Sequence, residues 1–142
     1  MSKSMLDTPH LHLELINGII YFRHKPGEID LQTAQTIVSD RLRFFDGQSY
    51  PMLVTGEGLT NITKEARHYL VDKGTQGVVA AAMVTDSVFS TFLGNFFVRV
   101  YPPPMPVRLF NKELPAAEWL QQFVSTKEKM QSSSYDPKSQ SV

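Results

Sequence analysis

The stretch from Val78 to Phe110 most constrains what this chain can fold into. It reads VVAAAMVTDSVFSTFLGNFFVRVYPPPMPVRLF. An apolar run ends at Thr85-Asp86-Ser87, and an amphipathic segment rich in phenylalanine follows. Pro102-Pro103-Pro104 then stops it, because proline lacks the N–H that continues a helical ladder. A second short apolar run, Val107 to Phe110, closes the unit. Strand, helix, loop, strand predicts one parallel crossover, since parallel neighbours need a long connection back to the same end of the sheet. Val78 to Thr85 shows no alternation, as expected of a parallel strand covered on both faces.

The rest of the chain attaches to this unit. Leu11, Leu13 and Leu15 alternate with His12 and Glu14, the period of a strand with one buried face. Asn17-Gly18 is the dipeptide best suited to a two-residue hairpin turn, and Ile19 to His24 is the return strand. That turn pairs Ile16 with Ile19, Leu15 with Ile20, Leu13 with Phe22 and Leu11 with His24. His10, His12 and Glu14 then share the opposite face with Tyr21, Arg23 and Lys25. Asp30 is a good N-cap for a helix carrying Leu31, Ala34, Val38, Leu42 and Phe45, with Ile37 and Arg41 beside that stripe. Asp46-Gly47 ends it. Tyr50 to Thr55 reads as a buried strand and Gly56 to Asn61 as a loop. Thr63 caps a second helix with Ala66, Tyr69 and Leu70 inward, and Glu65 suits its first turn. After the central unit, Asn111 is the candidate cap of a closing helix with Ala116, Ala117, Leu120 and Val124 inward. Pro115 is tolerated near its start.

The predicted order is ββαβαβαβα: an α/β fold with a mixed sheet, an N-terminal β-hairpin followed by αβαβαβα, and helices packed on the sheet. Residues 1–9 read as a flexible leader, 10–127 as a single domain and 128–142, rich in serine, as a disordered tail. The length of 142 residues suits one domain with a real core. Lys+Arg and Asp+Glu are both 14, and balanced charge argues against nucleic acid or an anionic membrane as partner. No cysteine is present, which excludes disulfides and thiolate chemistry and is compatible with a cytoplasmic location. Residues Met1 to His12 lack the apolar core of a secretory signal. The apolar stretches are interrupted by Asp86 and Arg99, so no stable membrane span is expected.

The strand–helix order, the segment MVTDSVFSTFLGNFF and the closing PMPVRLFNKELPAAEWL resemble small bacterial proteins of the SpoIIAA-like fold, in the uncharacterised branch described as STAS/SEC14-like. The likeness runs from the first hairpin to Phe123 and is carried most by Ala116, Trp119 and Leu120. It implies a mixed sheet and a regulatory or binding role rather than an enzyme. Anti-sigma antagonists of the wider fold carry an Asp-Ser-Ser-Gly-Leu-like phosphorylation motif at the second helix. This chain has Ile62-Thr63-Lys64-Glu65-Ala66-Arg67 there, so that motif is missing.

Candidate chemistry is sparse. His10 and His12 share a strand face at a spacing a metal can use, but three or four ligands are wanted and Arg23 and Lys25 sit beside them. Thr55-Gly56-Glu57-Gly58 lacks the glycine pattern and lysine of a phosphate loop. It nevertheless lies at the strand ends where open α/β sheets bind ligands. Glu57, Thr63, Asp86 and Ser87 are therefore binding candidates, with capping as the plainer reading of Thr63, Asp86 and Ser87. Ser87, Ser90, His68 and Asp72 carry a remote hydrolase reading without the Gly-x-Ser-x-Gly elbow. Phe89, Phe92, Phe96, Phe97 and Tyr101 belong to an apolar arc wider than one-sided packing needs. The excess suits a dimer face or a pocket for an apolar ligand. The sequence thus predicts a non-enzymatic regulatory or protein-interaction module, self-associating as a homodimer. A small apolar-ligand, lipid-like binding protein is its alternative. No cofactor and no metal is implied.

Overall fold

A computed structural model describes residues 4–84 and 103–125 of the chain. The hairpin comes first in the architecture because its register is set locally. Strands β2 (Leu11–Ile16) and β3 (Ile19–His24) pair antiparallel with Leu11 opposite His24, Leu13 opposite Phe22 and Ile16 opposite Ile19, as the turn dipeptide predicts. Asn17 and Gly18 both take positive φ, 51° and 82°. That is the requirement that makes Asn-Gly the favoured pair.

Three parallel neighbours extend the sheet from β3. They are β5 (Tyr50–Thr55), β7 (Val78–Val84) and β8 (Val107–Phe110). With β1 (Met5–Asp7) at the outer edge, the order is β1-β2-β3-β5-β7-β8, so each crossover moves one place in the same direction. Right-handed crossovers then carry their helices to one face. Helices α1 (Leu31–Phe45) and α2 (Lys64–Asp72) do share a face and pack on one core with Leu11, Leu13, Phe22, Met52 and Met83. Helix α3 (Glu113–Leu120) returns on the opposite face, where Ala116 and Leu120 meet Ile19, Leu53, Ala80 and Ala82. Ala80 and Ala82 of β7 let backbone layers approach on that side, while Val78, Ala81 and Met83 serve the other. The sheet is therefore sandwiched between helices, which is why β5 and β7 read as unbroken apolar runs.

Capping follows the sequence. Asp30 accepts from the Thr33 amide at 2.8 Å, and Thr63 Oγ1 accepts from the Ala66 amide at 3.2 Å. Asp46 closes α1 in the left-handed conformation, its amide donating to the Leu42 carbonyl. The stripe of α1 is rotated from expectation. Ile37, Val38 and Arg41 are buried with Ala34 and Phe45, while Leu31 is exposed.

Four local readings are corrected. Met5–Asp7, read as loose leader, is a strand, β1, antiparallel to β2. Its amides find partners on the edge of the hairpin, an option that a three-residue segment does not advertise in its pattern. Leu59–Ile62, read as loop, is strand β6; it pairs in parallel with β4 (Gly27–Ile29) in a separate two-stranded sheet. Lys112, not Asn111, occupies the N-cap position of α3, and no side chain caps it. Val79 is exposed because the β5–β7 register shifts between Tyr50 and Pro51, which turns one residue of β7 out of the packed alternation. The predicted phenylalanine helix and the tail from 128 lie outside the described residues.

Candidate functional site

The face of the sheet beneath α1 and α2 is incompletely filled. A cavity of about 100 Å³ runs between the two helices and strands β3, β5, β7 and β8. Its walls are mostly apolar, with Phe22, Ile37, Met52, Val54, Met83 and Met105 among them. Three methionines in one lining are notable physically, because an unbranched thioether adapts to irregular contents. Gly56 forms part of the wall, and a Cβ there would come within 2.8 Å of Leu59 Cδ1. The glycine thus lets Leu59 fold close over the end of β5.

Besides Thr75, whose hydroxyl donates to the carbonyls of Val71 and Asp72, two polar side chains reach this apolar space, one toward each end. Arg41 projects from α1 and is 1% exposed. Its Nη2 donates to the Gly74 carbonyl at 3.1 Å, and its guanidinium lies over the Phe45 ring at 4.8 Å from the centroid. Its Nη1 is sealed from solvent and unpaired, and no carboxylate forms an ion pair with it among the described residues. Burial pulls its pKa down to about 10, so it stays charged at neutral pH. His24 ends β3 and stands at the other end, beside Gly56, with its ring 4.6 Å from that of Phe22. Its Nδ1 is likewise sealed and unpaired. Burial lowers its pKa to about 4, which keeps the imidazole neutral. Gly74 precedes β7, whereas Gly56 follows β5, so the two polar groups are separated along the strands. The seven residues of β7 span about 20 Å at roughly 3.3 Å each.

Comparison with known proteins places this architecture. The model of a domain of unknown function, DUF7793, matches residues 12–124. The chain belongs to the DUF7793 family. The DUF7793 chain is similar to an uncharacterized protein of the DUF3478 family from Shewanella loihica, described as having a SpoIIAA-like fold. The TM-score is 0.59 at 14% identity, covering 82% of this chain and 98% of that one. The fold is SpoIIAA-like. Apo-SiaC from Pseudomonas aeruginosa is similar at TM-score 0.47 and 13% identity, covering 76% of this chain and 99% of that one, a likeness too loose to carry an argument. No curated protein matches the chain.

The residues singled out in the DUF7793 sequence fall in three groups. Glu57 is exposed in the turn between β5 and β6 and does not line the cavity. The Thr63 hydroxyl is engaged as the cap of α2, while its amide donates to the Ile29 carbonyl. Asp86, Ser87, Phe89, Phe92, Phe96, Phe97 and Tyr101 lie outside the described residues. The histidine pair is not arranged around a common point: His12 stands between Asp7 at 3.1 Å and Glu14 at 3.5 Å, while His10 is exposed. Arg23 pairs with Glu113, and Lys25 with Asp7 at 2.8 Å. Among the described residues, no group of three or more His, Asp or Glu side chains is placed to hold a metal ion. No helix among them is long and apolar enough to cross a membrane.

Sequence reasoning missed Arg41 and His24 as site residues. Both carried a signal: each is a lone polar side chain on the apolar face of its element. Such a residue either has a partner inside the core or faces a space that is not core, and the pattern alone does not separate these cases.

Proposed function

We propose that this DUF7793 protein is a non-catalytic binding module whose cavity takes a small, largely apolar molecule. One observation carries this reading: the space between α1, α2 and the sheet is lined by adaptable apolar side chains and has a polar group toward each end. Convergent apolar walls with a few placed polar groups are the usual form of a small-molecule site. An apolar cavity of about 150 Å³ stays dry and accepts benzene, so this one has room for a ligand of no more than about that size. His24 and Arg41 stand apart, without the nucleophile–base contact that acyl or phosphoryl chemistry needs, which favours binding over catalysis. The self-associating surface predicted on Phe89, Phe92, Phe96, Phe97 and Tyr101 falls outside the described residues.

Methionine-methyl NMR of the intact protein tests the reading. Titration with benzene should shift the methyls of Met52, Met83 and Met105 and leave exposed Met5 unmoved. Unchanged cavity methyls at saturating benzene would show that the space is not available and would reject the proposal. Native mass spectrometry of the purified protein adds a check, since a removable small molecule would begin to name the natural ligand.

A further inference from the structure

We infer that the cavity selects a small monoanionic acid, a short alkyl or aryl carboxylate whose charged head is held by Arg41 and whose apolar body lies along the methionine-lined wall. This inference rests on the binding reading above and adds the class of ligand.

Three features of Arg41 lead there. The side chain is buried, yet its charge is uncompensated among the described residues. Among the described residues its single hydrogen bond, to the Gly74 carbonyl, uses one edge of a group with five donors and leaves Nη1 buried and unpaired on a side chain that lines the cavity. An isolated buried cation is costly, and the group that best offsets it is an anion presented in hydrogen-bonding geometry. Contact with Gly74 and stacking on Phe45 fix the guanidinium plane but neutralise nothing. A carboxylate supplies both the missing charge and an acceptor for Nη1.

The rest of the lining sets the other limits on the ligand. Arg41 is the only charged side chain among the described lining residues, so one negative charge is matched and a second is not. His24 is neutral and sits toward the far end, where it offers a hydrogen bond rather than a charge, and the Thr75 hydroxyl is engaged with the carbonyls of Val71 and Asp72. The wall between Arg41 and His24 is mostly apolar, which disfavours a polyol or a nucleotide. The volume favours a body of a few carbons over a long acyl chain.

The test compares pentanoate with pentanamide, matched in size and differing in charge, at pH 7 against the intact protein. Shifts of the Met52, Met83 and Met105 methyls are the readout. Pentanoate should bind at least tenfold more tightly than pentanamide. In Arg41→Met the two should bind alike. Equal binding of acid and amide to the wild type would overturn the inference while leaving the cavity reading intact. A preference for pentanoate that persists in Arg41→Met would also overturn it, by showing that the charge selection lies elsewhere. Failure of both compounds and of benzene to move the cavity methyls would remove the binding reading and this one together.

Discussion

His24 sets a pH dependence that belongs to a single residue. Its folded pKa of about 4 lies below the ordinary 6.5 because burial disfavours the imidazolium. The unfolded chain therefore takes up a proton on acidification before the folded one does. Stability contributed by the neutral ring is fully present above pH 6.5, is lost as pH falls through the window down to about 4, and is gone below it. The shift corresponds to about 3 kcal/mol over that window. Urea unfolding of the wild type and of His24→Asn, run from pH 7 to pH 4, measures it. The wild type should lose more stability than the variant by roughly this amount; parallel pH profiles would show that the ring is hydrated in the folded state.

At the scale of elements, α3 provides a contrast between a visible contact and an energetic one. Arg23 of β3 holds Glu113 through two hydrogen bonds, at 2.7 and 3.2 Å, where the helix begins. Both side chains are about two-fifths exposed, so solvent screens the pair. Leu120, at the other end, is fully buried against Leu53 and the alanines of β7. Glu113→Ala should cost under about 1 kcal/mol, and Leu120→Ala about 2–5 kcal/mol. Chemical denaturation of the two variants should rank them in that order, and the reverse order would mean that the ion pair, not burial, docks the helix. The same contrast explains what the sequence revealed. The hairpin register was legible because alternation and an obligatory turn dipeptide agree, and α1 and α2 because a cap precedes an apolar stripe. Strands β1, β4 and β6 were not legible. Segments such as Gly27-Glu28-Ile29 are too short for a period, and only a distant partner makes them strands. The cavity was invisible for a related reason: empty space is a property of several elements meeting, whereas Arg41 and His24 are properties of one element each.

At the scale of the whole molecule, the two faces of the sheet have different characters. The α3 side is closed by small residues and by the ring cluster of Phe110, Trp119 and Phe123, with centroids 5.0 and 5.8 Å apart. The α1–α2 side carries the larger residues and the cavity. The outer strand β1 is only three residues long, with Asp7 paired to Lys25, and short charged edges resist pairing with other chains.

The small sheet of β4 and β6 has a kinetic consequence. These strands lie in the two successive connections, just before α1 and just before α2, and Glu28 bonds Asn61 across them at 2.9 Å. Pairing them ties residues 27 and 62 into a closed circuit that contains α1 and β5 whole. Closing that circuit lowers the entropy of both α1 and β5 in any partly opened state, so the two should behave as one foldon, opening and reclosing together. Hydrogen exchange under native conditions should give the core amides of α1 and β5 a common opening free energy, distinct from that of α3. Separate values for α1 and β5 would show that the knot at 27–62 binds only its own neighbourhood.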